Sequence, residues 1–230
     1  MTQSSNPHGG VYKQDWEALL APGVVLIADP FLADGFFERT VVLLLHAEAS
    51  EGAMGLVLNR PTSPGVMPDR EAINEYLAWQ AGLASGLDGR HLDQELSLPP
   101  CRSGGPVDVQ DWFMLRLRQE GDTNGMPEIS FSEVGEEASL DRLLPDMPEP
   151  GSPEWYLQAE DEKVLFFAGY AGWTAGQLES ELDAKSWILY NGGFEWFSYV
   201  HHPDLWAILL KSMGGSYSMM ATYPRHPVLN

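Results

Sequence analysis

The chain has 230 residues and a mass of 25.5 kDa; 44% of it is hydrophobic, with eight tryptophans, which is apolar material for a single sizeable core. Thirteen Lys and Arg stand against 33 Asp and Glu, a formal charge of -20, which disfavours direct binding to a nucleic-acid duplex or an anionic membrane surface, since both rest on clustered cations. The single cysteine, Cys101, excludes an internal disulfide and any CxxC-based zinc or redox centre, and no apolar run reaches the roughly 18 residues that cross a bilayer.

The polar start, MTQSSNPHGG, lacks the basic and apolar regions of a signal peptide, so the expected compartment is the cytoplasm. Residues 1–14 read as a loose tail and 15–230 as one domain. After a short amphipathic turn at 15–20, VVLIA (24–28) predicts a buried strand ended by Asp29-Pro30. TVVLLLH (40–46) predicts a second, and AMGLVLNRP a third that Pro61 cannot continue. Three short strands with short connections imply hairpin-linked, largely antiparallel pairing. From Asp69 to about Ala84, Ile73, Tyr76, Leu77, Ala81 and Ala84 recur at helical spacing, the pattern of an amphipathic helix lying on the sheet.

Residues 86–100 read as a loop insertion. DWFMLRLR (111–118) alternates, with Phe113, Leu115 and Leu117 on one face and Met114, Arg116 and Arg118 on the other, as in a half-exposed strand whose hairpin partner is EISFSEV. Residues 133–162 hold ten acidic groups, one arginine and four prolines, an acidic surface excursion. KVLFFAGYAGW (163–173) and SWILYN (186–191) predict two more strands. His202-Pro203-Asp204 opens a last helix, LWAILLKSM, closed by glycines.

Three motifs and the histidines are candidates for chemistry. In GYAGWTAGQLESEL (169–182), Thr174 and Gln177 have capping-box spacing: the hydroxyl would accept from a first-turn amide while Gln177 reaches back to the amide of Thr174. Trp173 would fasten that corner to the core. An anion at the helix start is discouraged by Glu179 and Glu181. In CRSGGP (101–106), the amides of Gly104 and Gly105 would make an anion nest beside Ser103 or Cys101, but the turn-before-strand reading is favoured, because no GxSxG, cysteine-protease signature or local base accompanies them. At Asn59-Arg60-Pro61, salt bridging of Arg60 to a carboxylate such as Glu38 or Asp69 competes with a cleft in which Arg39, Asn59 and Arg60 hold an anion. The six histidines form no HxH, HExxH or Cys/His grouping, so neither a metal nor a cofactor is expected.

The order of PGVVLIADP, FFERTVVLLLHAEASEGAMGLVLNRP, SGGPV and FAGYAGWTAGQLESEL followed by SWIL resembles the YqgE/AlgH family of bacterial proteins over most of 22–189. The resemblance implies an α+β fold: a mixed, mostly antiparallel bifurcated sheet, partly closed as a small barrel and surrounded by helices. After SGGPV the family usually carries a leucine-histidine pair where this chain has Leu115 and Arg116, so no role for that histidine carries over. Members are often labelled transcriptional regulators and are otherwise of unknown function.

Three functions follow as expectations. The favoured one is a non-enzymatic protein acting through a protein or small-ligand contact at Arg39, Asn59, Arg60, Ser103, Gly104, Gly105, Trp173 and Gln177. The second is a hydrolase or transferase using the Ser103-Gly104-Gly105 loop as an anion cradle. The third, direct DNA binding, conflicts with the charge.

Overall fold

The computed structural model describes residues 15–16, 18–70, 72–73, 76, 100–118, 127–134 and 162–224. The tail at 1–14, most of the amphipathic segment after 76, and nearly all of both insertions lie outside the described residues. Eight strands form the sheet: β1 (Val25–Ala28), β2 (Val41–Glu48), β3 (Gly52–Val57), β4 (Cys101–Ser103), β5 (Val107–Arg118), β6 (Glu128–Glu133), β7 (Glu162–Trp173) and β8 (Trp187–Leu189). With them stand α1 (Gln177–Asp183), a 3₁₀ helix (Glu195–Tyr199), α2 (Leu205–Met213) and α3 (Gly215–Met220). The architecture is α+β.

The strand order is β6-β5-β7-β3-β2-β1-β8, with β4 beside β7. Every pairing is antiparallel except β4 with β7. The sheet does not close: β6 and β8 are the two ends of the path, so the partial barrel implied by the resemblance is not formed by the described strands.

The sheet does fork, and the fork organises the fold. β7 has β5 along one edge; along its other edge Ala171–Trp173 pair with Ala53–Gly55 of β3, whereas Phe166–Ala168 pair with β4. β4 is a wedge driven between β7 and the continuation of β3. Its other edge bonds residues 57–62: Ser103 N–H donates to the Arg60 carbonyl at 2.7 Å, Val57 N–H to Gly104 at 2.8 Å, and Pro61 bridges Arg102. At the tip of the wedge, Gly104 and Gly105 lie against the backbone of Gly169 and Tyr170, where an added Cβ would overlap main-chain atoms. Gly169 itself has φ +66, a conformation that L side chains rarely adopt. The glycines of SGGP and GYAG are therefore two halves of one joint.

Alternation along the strands sends two apolar sets to opposite faces. One face gathers Val25, Ile27, Leu43, Leu56, Leu115, Leu165 and Phe167 under the 3₁₀ helix and α2. The other gathers Leu26, Val42, Leu44 and Val57 under α1, and Met114, Val164 and Phe166 beside Ala72 and Tyr76. Each fully buried leucine or valine contributes about 1.5–3 kcal/mol. Because both faces are covered, β5 is not half-exposed: Met114 and Arg116 are 2% and 3% exposed. The alternation was legible, but the second covering layer comes from a segment distant in sequence. Residues 70, 72, 73 and 76 are helical, and Asp69 Oδ1 accepts from the Ala72 amide at 2.9 Å, a helix-start bond.

The last helix also departs from the expectation. The glycines at 214 and 215 end α2 but start α3, because Gly214 takes φ +69 and lets the chain turn into a second short helix.

Candidate functional site

Trp173 and Gln177 belong to a closed structural network. Glu181 Oε2 accepts from Trp173 Nε1 at 2.9 Å and from Trp187 Nε1 at 2.7 Å, and its Oε1 accepts from Gln177 Nε2 at 2.9 Å. Gln177 Oε1 in turn accepts from the Thr174 amide and hydroxyl at 3.1 and 3.2 Å. One half of the expected capping box is thus present. The other half is replaced: the Gln177 amide bonds the Thr174 carbonyl, and the helix is capped by Gly176 at φ +75 with no side-chain bond. Phe37 stacks on Trp173 and meets Trp187 edge-on, which completes an aromatic corner.

Asn59 is likewise structural. Its Oδ1 accepts from the Val41 amide and its Nδ2 donates to the Arg39 carbonyl, both at 2.9 Å, so the side chain stands in for strand backbone where β2 and β3 part. Arg39 (φ +54) lays its guanidinium over Trp206 at 4.6 Å and donates to the Tyr223 carbonyl, on the face covered by α2. Arg60 lies over Phe36 at 4.8 Å, on the other face. The two arginines therefore do not share a cleft. Arg60, over Phe36, and Trp173, stacked on Phe37, border one aromatic cluster, whereas Arg39 lies across the sheet from them.

What does converge is Arg60 with Ser103. The register Pro61 to Arg102 sets Arg60 opposite Ser103, and cross-strand partners share a face. Among the described residues neither Glu38 nor Asp69 pairs with Arg60; its buried Nε has no hydrogen-bond partner. The Gly104 amide is not available as a nest, since it donates to Ala168 at 2.9 Å. Burial pushes the Cys101 thiol up to about 11, with Arg102 opposing, so the thiolate population at pH 8 is only about one in a thousand. Alkylation of Cys101 by iodoacetamide is accordingly expected to be slow at pH 8 and to accelerate only above about pH 10. Rapid labelling at pH 7 would contradict the buried setting.

Two groupings escaped the sequence reading. On the β2–β3 hairpin, ligand atoms of His46, Glu48 and Glu51 lie within 4.8 Å of one another beside a cleft of about 560 Å³ lined by Leu20, Glu48, Ser50 and Glu179. The i, i+2, i+5 spacing is too common to have signalled it, and the bulge between Leu44 and His46 that arranges it is a tertiary feature. The second grouping is cationic. Arg102 is paired with Phe167, Lys163 Nζ sits 4.9 Å over the Phe197 ring, and His201 follows Val200 in the same apolar cluster.

The AlgH-like family model matches residues 25–218. An uncharacterised protein of Thermobifida fusca is 30% identical over 217 residues, covering 93% of this chain and 98% of its own. A Streptomyces coelicolor relative is 33% identical over 208 residues, covering 90% and 94%. Among solved structures, one from Corynebacterium diphtheriae aligns at TM-score 0.56 and 17% identity over 93% of this chain and all of its own, a likeness of fold. The solution structure of AlgH from Pseudomonas aeruginosa is 25% identical at TM-score 0.48 and covers 98% of this chain and all of its own.

Proposed function

The chain belongs to the AlgH-like family, and from that premise we propose that it is a non-enzymatic cytoplasmic protein that holds a small anionic ligand, of the carboxylate or phosphate class, between Arg60 and Ser103. The observation that carries this reading is Arg60. In a protein with 33 carboxylates, its guanidinium rests on Phe36 with no carboxylate or hydrogen-bond acceptor among the described residues, and its Nε is buried. A desolvated, unpaired charge is costly, and the planar fork of arginine matches a carboxylate or phosphate. Ser103 is the half-buried cross-strand neighbour, placed to donate its hydroxyl to the same anion.

A regulatory role of the kind the family label suggests would run through such a ligand and not through DNA, which a charge of -20 repels. Titration calorimetry with inorganic phosphate and with succinate tests the reading. One of the two is expected to bind, and Arg60→Gln to weaken it at least about tenfold by removing the charge-assisted bonds. Absence of heat with both at 10-millimolar order, or equal binding by Arg60→Gln, would end it.

A further inference from the structure

We propose that a second anion site, for a phosphate-class polyanion such as a diphosphate group, lies on the α2-covered face of the sheet, built by Arg102, Lys163 and His201 around Phe197. The three come from three elements. Arg102 stands opposite Phe167 on β4, Lys163 lies on the same face of β7 four residues before Phe167, and His201 leaves the 3₁₀ helix directly after Val200. Phe167, Phe197 and Val200 belong to one buried cluster, which draws the three polar heads to its rim.

The charge balance there is anomalous. Arg102 Nε donates to the Leu58 carbonyl at 3.2 Å and Nη1 to the Cys101 carbonyl at 3.5 Å; neither contact is to an acid. Among the described residues Lys163 meets the Phe197 ring and no acid. Among the described residues no carboxylate pairs with any of the three, although the protein carries 20 more acids than bases. A cationic cluster beside an apolar face in an otherwise anionic protein draws polyvalent anions. It lies on the opposite face of the sheet from Arg60, so one ligand could not fill both sites.

His201 reports on the arrangement. Its pKa is pushed down to about 4, first by burial and then by Lys163 and Arg102. The charged groups acting on the ring are Lys163 from β7 and Arg102 from β4; on its own segment follow His202 and Asp204, whose amide bonds His202 Nδ1 at 3.0 Å. A bound polyanion would neutralise the two cations and return the imidazole toward its ordinary value.

The test is histidine-detected NMR of the full chain titrated with inorganic pyrophosphate at constant ionic strength set by potassium chloride, with the His201 signals assigned by His201→Gln. Saturable shifts of His201 are expected, with its pKa raised by at least about one unit in the bound state. Lys163→Met keeps the apolar stem on Phe197, so it should leave the melting temperature close to wild type while weakening binding about tenfold or more. Arg60→Gln should leave the His201 response intact, which separates this site from the one above. No saturable His201 shift, or an unchanged affinity in Lys163→Met, overturns the proposal. A Lys163→Met variant that melts early yet binds pyrophosphate normally does so too.

Discussion

Gly105→Ala is expected to leave little or no folded protein. The new methyl would overlap the carbonyl group of Tyr170, main chain of β7 that is held opposite Val107 and flanked by residues paired to β4 and β3. Next to it, Gly104 is bonded to Ala168 through its amide and to Val57 through its carbonyl, so the wedge cannot back out of the fork without losing both bonds. A cost of at least about 4 kcal/mol follows, against total stabilities of about 5–15 kcal/mol. Soluble yield, far-ultraviolet circular dichroism and the urea midpoint read the outcome. Gly172→Ala is the matched control: its nearest contact is the Tyr170 ring at 3.3 Å, a side chain that can shift, so a loss below about 1 kcal/mol is expected. If Gly105→Ala melted within a few degrees of wild type, the wedge account of the SGGP motif would be wrong.

The second large effect is at Glu181. One carboxylate oxygen serves both indole N–H groups of Trp173 and Trp187, which are only 6% and 4% exposed. Replacing Glu181 with Ala leaves two buried donors without an acceptor, at about 1–3 kcal/mol each, and releases Gln177 from its partner. The expected loss of about 2–5 kcal/mol corresponds to a fall in melting temperature of roughly 5–15 °C for a domain of this size. Glu181→Gln keeps one acceptor oxygen and should lose less. In a double-mutant cycle with Trp187→Phe, a coupling below about 0.5 kcal/mol would mean that the shared bond is not what holds the corner.

These two expectations change where function is sought. The motifs that look most like binding loops, SGGP and GYAGWTAGQ, are held by internal contacts: one by backbone packing too close for a side chain, the other by a closed chain of hydrogen bonds. Among the described residues, cations remain that pair with no carboxylate, Arg60 on one face and Arg102 with Lys163 on the other. Arg60 and Arg102 do sit in flagged motifs, Asn59-Arg60-Pro61 and CRSGGP, but Lys163 lies in none of them.

The strands were legible in the sequence because runs such as VVLIA and TVVLLLH carry their own evidence: β-branched, apolar and bounded by turn residues, they bury wherever they pair. The corner at 169–182 was also local, since Thr174 and Gln177 lie three residues apart and find each other without help from the rest of the chain. Placement was not local. That β4 splits β3 from β7, that Arg39 and Arg60 leave for opposite faces, and that both faces of β5 are covered depend on segments far apart in the chain meeting in one register. Sequence alone determined where the strands and turns fall, because those preferences act between near neighbours. Which charges end without a counter-ion was decided only by the tertiary fold, because the distances that set electrostatic pairing run through space and not along the chain.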